Sequence, residues 1–312
     1  MPNHTLYIGF ISCGNSTVKY LPYFLGSLKS QTYINFKIIA VDNSDNKENE
    51  NLKFIKDNFP EIEVVHTGEN LGFGRAYNLM IDHAIKNNAD YFLAVNPDMI
   101  FENDMVEKLI SAIEIDKTLA SVQPKILRWN FKENKKEDIV DSYGIDILPG
   151  LRFTDIRQGE KDQLDKDLEI LGPTGAAALF RLDSLEKIKI KSGYFDESFF
   201  LYKEDCDLVY RLFLHGYKSK CIHSAVAYHD RTAHRNNGSI FNIIKERRER
   251  GKFVNIHSFR GQQLIYKKYW HQQDMSGKIH IIVQEIKFFI LALLFEQYLL
   301  NEFSILFRSC KA

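Results

Sequence analysis

Cysteine is scarce in this chain, and what there is does not pair. Cys13, Cys206, Cys221 and Cys310 are spread over 312 residues with no CxxC and no metal-like spacing. That excludes a disulfide framework and a thiolate metal centre. With no signal-peptide pattern, reduced thiols and a cytoplasmic location are expected. Net charge is missing too. The 41 basic residues balance 41 acidic ones, so no global field favours nucleic acid and none is expected as a partner. Long apolar runs are also lacking. Ile279–Phe307 is the one membrane candidate, but its core, Phe288–Phe295, is too short to span, and Glu285, Lys287 and Glu296 interrupt it. It reads as an amphipathic helix lying on the inner face of a membrane, or packed on its own protein or on a partner in a homodimer. There is no internal repeat and no low-complexity linker. The G-x-G-x-x-G turn after the first strand is absent as well. Ser12-Cys13-Gly14-Asn15 stands there instead, which speaks against a nicotinamide enzyme.

What is present is a soluble globular composition, 45% hydrophobic and 26% charged. The length allows one large α/β unit with a smaller appendage. Strand patterns at Leu6–Ile11, Lys37–Val41, Ile62–His66 and Tyr91–Val95 alternate with helical ones. The helices are Lys19–Gln31, a polar segment running to Asn58, and Arg75–Asn88, whose apolar stripe is Leu79, Ile81, Ala84 and Ile85. This alternation predicts an α/β fold with a doubly wound, mostly parallel, Rossmann-like sheet. Ligands in such sheets bind outside the carboxyl ends of the strands, where Asp42 and Asp98 fall. Further on, Ser121–Leu127, Ala176–Phe180, Lys218–His223 and Ala225–Tyr228 read as strands. Lys132–Asp138 and Gln158–Glu169 read as exposed loops. From Phe241 the pattern is helical and basic (Lys245, Arg247, Arg248, Arg250, Lys252), anchored by Phe253, Ile256, Leu264 and Tyr269, then apolar. The expected division is a domain over 1–235 and a helical C-terminal extension over 236–312 that associates with membrane or dimerises.

The densest chemistry lies in Gly193–Tyr217, where Glu204, Asp205 and Asp207 occur within four residues behind the apolar run Phe199–Tyr202. Carboxylates so close repel when ionised, and such clusters persist where a proton, a metal or a substrate hydroxyl uses them. Leu208 and Leu212 predict a helix with an inward face, Asp207 and Arg211 an i, i+4 ion pair, and Asp205 a first-turn position where the helix dipole favours negative charge. Asn96-Pro97-Asp98 puts a carboxylate on a stiffened turn, suited to Mg²⁺ or Mn²⁺, which take few protein ligands and leave room for diphosphate oxygens. His229, also ending a strand, would add an imidazole and tilt the choice toward Mn²⁺. Asn70-Leu71-Gly72-Phe73-Gly74-Arg75 opens a helix whose N–H groups, with Arg75, suit phosphate. Gly172-Pro173-Thr174-Gly175 puts small residues where a sugar ring can approach backbone. Ordinary turn, cap and surface roles account for each string taken alone.

Taken in order, VDNS (Val41–Ser44), ENLGFGRAYN (Glu69–Asn78), VNPD (Val95–Asp98), PTGAAALFR (Pro173–Arg181), GYFDESFFLYKEDCDLVYRL (Gly193–Leu212) and the closing Ala227-Tyr228-His229 resemble the family 2 glycosyltransferases of the GT-A fold. The likeness is strongest to their rhamnosyltransferase-like branch, and it covers roughly residues 5–230. The resemblance implies an inverting, metal-dependent transferase that moves a sugar, rhamnose by its branch, from a UDP- or dTDP-sugar. The acceptor it implies is a saccharide or polyprenyl-linked glycan in cell-wall or polysaccharide synthesis. By the same resemblance Asp205 is the general base and Glu204 its neighbour in the family's Glu-Asp pair. Asp42 contacts the base, and Asn70, Arg75, Asn96, Thr174 and Gly175 line the nucleotide-sugar site. Asp98 and His229 hold Mn²⁺ or Mg²⁺, with Asn96 standing where the family has the first carboxylate of its Asp-x-Asp motif. Two other classes stay in view: a non-catalytic nucleotide-sugar-binding protein, and a sugar nucleotidyltransferase, which would need a Gly-rich basic loop that Phe10–Lys19 does not provide.

Overall fold

The computed structural model describes residues 4–231 and 240–303. The expected domain boundary at 235/236, residues 304–307 of the apolar segment and Cys310 lie outside them. The first half follows the predicted alternation: β1 (Leu6–Ser12), α1 (Leu21–Lys29), β2 (Phe36–Asp42), α2 (Glu50–Asn58), β3 (Glu63–His66), α3 (Gly72–Lys86) and β4 (Tyr91–Val95). Next come β5 (Met99–Phe101), α4 (Met105–Ile115), β6 (Leu119–Asn130), β7 (Lys135–Ser142), β8 (Ile145–Leu148), β9 (Arg152–Asp155), β10 (Leu168–Ile170) and β11 (Ala177–Arg181). The rest is α5 (Leu182–Lys187), α6 (Glu204–Leu214), β12 (Lys218–His229), α7 (Ile240–Tyr269, broken at Gly251) and α8 (Met275–Phe295).

Contacts divide the described chain into two compact units. The first holds residues 4–146, 155–197 and 204–231, the second 147–154, 198–203 and 240–303. The first unit is built on one sheet in the order β10-β12-β6-β11-β4-β1-β2-β3, with β5 alongside β12 and β7 alongside β6. The strands β3, β2, β1 and β4 are parallel, as read from the sequence. β11 is antiparallel to both β4 and β6, so the sheet as a whole is mixed. The β1 side chains alternate between two cores: Leu6, Ile8 and Phe10 join α1, α2 and α4, while Tyr7 joins α3, α5 and α6. Both faces of β1 and β4 are therefore covered, which is why those strands are almost wholly apolar, whereas β3 at the edge, with Glu63 and His66, stays largely exposed.

Four readings need correction. Lys135–Asp138 is not loop but the outer end of β7, whose charged residues are exposed or half-buried on the sheet edge. The two C-terminal strands are one, β12, with an irregularity between Ile222 and Val226. Leu79 is 45% exposed; α3 instead buries Ala76, Tyr77, Met80, Ile81 and Ala84. Phe253, expected as an anchor of the basic helix, is 57% exposed.

Candidate active site

Because β1, β2 and β3 are parallel and in register, their last residues, Ser12, Asp42 and His66, stand side by side at one edge of the sheet. Asp42 is fully buried. Its Oδ1 accepts from Ser12 Oγ at 2.8 Å and Ser44 Oγ at 3.0 Å; its Oδ2 accepts from Asn49 Nδ2 at 2.8 Å and meets His66 Nδ1 at 2.9 Å. Those four partners occupy the lone pairs of the carboxylate. Asp42 thus braces the strand ends instead of opening into the crevice expected for it. Asn43 Nδ2 reaches Gly72 O (3.2 Å) and Asn70 Oδ1 (3.4 Å), and Asn70 Oδ1 also accepts from Gly72 N (2.9 Å). This polar stitch sets the start of α3 beside the same strand ends. Arg75, also expected here, is half-exposed and lies 3.8 Å from Glu197.

The next strand end carries Asn96 and Asp98. The antiparallel pairing of β11 with β4 brings the start of β11 against the end of β4, so Asn96 N donates to Ala176 O at 2.8 Å. Thr174 and Gly175 are positioned by the same pairing. Thr174 N donates to Gln123 Oε1 (2.9 Å), and Gly175 N donates to Asp205 Oδ2 (3.1 Å). A Cβ on Gly175 would stand 3.2 Å from Phe73, a tight approach, and 3.5 Å from the Asp205 carboxylate, ordinary contact, so a larger side chain here would press on the Phe73 ring beside the acid. Asp205 Oδ1 accepts from Cys206 N at 2.7 Å. Each oxygen of Asp205 is therefore held by one backbone donor, with lone pairs to spare. Glu204 beside it is buried.

The α6 helix that carries Asp205 is pinned from below. The expected Asp207–Arg211 pair forms at 2.9 Å and is buried; Arg211 also donates to Ile188 O (2.9 Å) and to Tyr194 O. The turn at 192–195 is held in its turn by Asn78 of α3. Asn78 Oδ1 accepts from Tyr194 N (3.0 Å) and Phe195 N (2.8 Å), while its Nδ2 donates to Phe195 O (2.9 Å) and Ser192 O (3.1 Å).

His229 ends β12 opposite Met99, which places its ring next to Asp98. Nε2 lies 3.2 Å from Asp98 Oδ1, and Nδ1 lies 2.8 Å from Asp141 Oδ2. Asp141 also meets Arg231 at 3.3 Å, and Arg231 reaches Asp155 at 3.0 Å. Burial works against charge on the imidazole, but Asp98 and Asp141 outweigh it and raise His229 to about 10. Burial likewise opposes ionisation of Asp141, and His229 with Arg231 overcomes it, holding the carboxyl below the usual range.

Among the described residues no three His, Cys, Asp or Glu side chains cluster as a metal cage. The Asp98–His229 pair nonetheless fits a hard cation. Asp98 Oδ1 is buried and has, among the described residues, only the ion pair with His229 Nε2, which a cation between the two would replace as the ring gives up its proton. Its distance from Nε2 is about that of neighbouring ligand atoms on an octahedral ion with bonds of roughly 2.1 Å. Asp141 behind Nδ1 is the carboxylate–histidine support that orients a metal-binding imidazole toward its free nitrogen. Asp141, Arg231, Asp155, Asn78, Ser12 and His66 carry this site without having been singled out in the sequence. His66, as the end of a strand in register with Asp42, was the one open to discovery there.

Residues 10–189 match the family described as Glycosyl transferase family 2. A rhamnosyltransferase, WbbL of Escherichia coli strain K12, is 25% identical over 76% of this chain and 86% of its own length. Among solved structures, GalNAc-T7 with UDP, GalNAc and Mn²⁺ superposes with a TM-score of 0.57 at 14% identity, over 72% of this chain and 44% of that one. TarS of S. aureus does so at 0.50 and 15% identity, over 73% and 37% respectively. The chain thus spans less than half the length of either solved relative, and these two likenesses speak for the α/β fold.

Proposed function

The chain belongs to glycosyl transferase family 2, and from that premise we propose that it transfers a sugar, with inversion, from a nucleoside diphosphate carrier to a hydroxyl of a glycan. Membership removes the nucleotidyltransferase and the non-catalytic binding protein. The observation that carries the mechanism is Asp205, held on both oxygens by backbone N–H groups at the start of a helix anchored by the buried Asp207–Arg211 pair. A carboxylate so fixed keeps acceptor capacity for an incoming hydroxyl. The acceptor oxygen attacks the anomeric carbon as Asp205 takes its proton. The bond from that carbon to the diphosphate breaks in the same displacement, and the nucleoside diphosphate leaves. Glu204, buried beside Asp205, orients the acceptor. Thr174 and Gly175 let the sugar ring lie against backbone, while Asn96 and the α3 start near Asn70 face the diphosphate, with the base on the strand ends that Asp42 braces.

Asp98 and His229 would hold Mg²⁺ or, with an imidazole in the set, Mn²⁺. Such a cation supplies charge neutralisation for the leaving diphosphate. For the diphosphate, Arg75 adds its charge by turning from Glu197. UDP- and dTDP-sugars are the proposed donors, with rhamnose favoured by the name of the E. coli relative; a saccharide or polyprenyl-linked glycan is the proposed acceptor. The test is calorimetry against UDP-, dTDP- and GDP-sugars with and without Mn²⁺, beside a transfer assay of Asp205→Asn. The expected result is metal-dependent binding of one donor, and a variant that binds it normally but transfers at least about a hundredfold more slowly. Normal turnover by the variant would remove Asp205 from the role of base.

A further inference from the structure

The α8 helix buries one side and leaves a wide apolar stripe facing solvent. Ile281 and Ala292 are buried, and Phe288 meets Phe259 of α7 with ring centres 6.1 Å apart. On the opposite side Ile279, Ile282, Ile286, Phe289, Ile290 and Leu293 are each between 45% and 54% exposed. At 3.6 residues per turn these positions fall on one face, running most of a helix about 30 Å long. Soluble proteins rarely leave a continuous apolar surface of that length uncovered. Among the described residues, no helix is long and apolar enough to cross a membrane.

The charges around the stripe decide what it fits. Helical spacing places Lys278 at one edge and Lys287 at the other, the latter exposed. Glu285, the one acid within α8, follows Lys278 by seven residues and so stands on the same edge, but it is half-buried: Gln263 Nε2 donates to it at 2.8 Å, and burial pushes its carboxyl up. Glu296, just past the helix end, is bound by Arg247 at 2.7 Å. The exposed side of α8 is therefore apolar at the centre, with exposed Lys287 at one margin and, at the other, Lys278 beside a Glu285 already bound by Gln263. Two copies joined about a two-fold axis through this stripe would bring lysine margins together, with only the half-buried, Gln263-bound Glu285 to answer them. An anionic bilayer surface answers both features, since the acyl boundary takes the isoleucines and phenylalanine while the lysine stems reach back to the headgroups.

We propose that the exposed face of α8 is a docking surface for anionic lipid bilayers, on which the helix lies in the plane of the interface. Such docking stands apart from the transfer reaction, and its test needs no substrate. Full-length protein is sedimented with vesicles of equal parts phosphatidylglycerol and phosphatidylcholine, and with vesicles of phosphatidylcholine alone. The expected outcome is binding to the anionic vesicles, weakened by high salt and by Lys278→Glu/Lys287→Glu. The double variant Ile286→Glu/Phe289→Glu, at exposed positions and checked by circular dichroism, should lose about tenfold or more in vesicle binding. Wild-type protein that stays in the supernatant with both vesicles overturns the proposal, as does a folded double variant that binds as before. A concentration-dependent dimer abolished by Ile286→Glu, without vesicle binding, would assign the face to a second copy. Binding that emerges only after deletion of residues 304–312 would assign it to the chain's own end.

Discussion

Asp141 is the residue whose loss separates geometry from chemistry. It touches no reacting atom; its place is behind His229 Nδ1, where it fixes which ring nitrogen faces Asp98. Asp141→Asn should therefore weaken Mn²⁺-dependent donor binding by roughly ten- to a hundredfold. Calorimetry with and without Mn²⁺ would show it, with metal-independent binding little changed. Equal weakening in both conditions would mean a general loss of structure. The sequence announced Asp98, His229 and Asp205 because each sits at the end of an element or beside another acid. It was silent on Asp141 because that carboxylate follows the charged stretch Lys135–Asp138 by only two apolar residues, and only the pairing of β7 with β6 shows that this end of the strand turns inward. Asp42 was legible as a strand end but not as a saturated one, since its partners come from the ends of two other strands, Ser12 and His66, as well as from the stretch after it, Ser44 and Asn49.

Among the elements, the approach to α6 is the most constrained. Tyr202 and Lys203 both have positive φ, 69° and 74°, immediately before Glu204. Consecutive left-handed residues that are not glycine cost free energy and persist only where packing holds them. In the second unit, Gly261 of α7 lies against this strained pair: a Cβ there would stand 2.5 Å from Tyr202 O. Gly261→Ala should displace the backbone leading to Asp205, lowering kcat several-fold while donor affinity holds; steady-state kinetics beside calorimetry would tell. Unchanged kcat would mean that the turn tolerates the shift. Elements of this kind are hard to read from sequence. The strands and helices of the first half were legible because period and length agree for each of them. The strain at Tyr202–Lys203 follows from tertiary packing and leaves no pattern in the string FFLYKED.

At the scale of the whole molecule, balanced charge leaves acid stability to individual pairs. Asp162 is an example away from the proposed metal site. Burial works to raise its carboxyl, and Lys125 Nζ at 2.6 Å, the Tyr143 hydroxyl and Leu164 N together lower it. A folded-state value below the unfolded one gives stability that is present above the unfolded value, near 4, and is lost as pH falls through the lower folded value. Asp162→Asn should thus lower stability at neutral pH and flatten its decline below about pH 4, as followed by urea unfolding across pH. A decline as steep as the wild type's would assign the acid limb to other carboxylates. The two-unit division has a different consequence. The chain enters the second unit at 147, leaves after 154, returns for 198–203 and enters again for the helices from 240. Gln262 donates to Leu151 O at 3.0 Å, and Phe200 meets His257 with ring centres 5.2 Å apart. Removing everything past 235 would therefore strip two inner segments of their partners, one of them adjoining Glu204. A truncation that looks like the removal of a tail would thus open gaps at two places far upstream in the sequence.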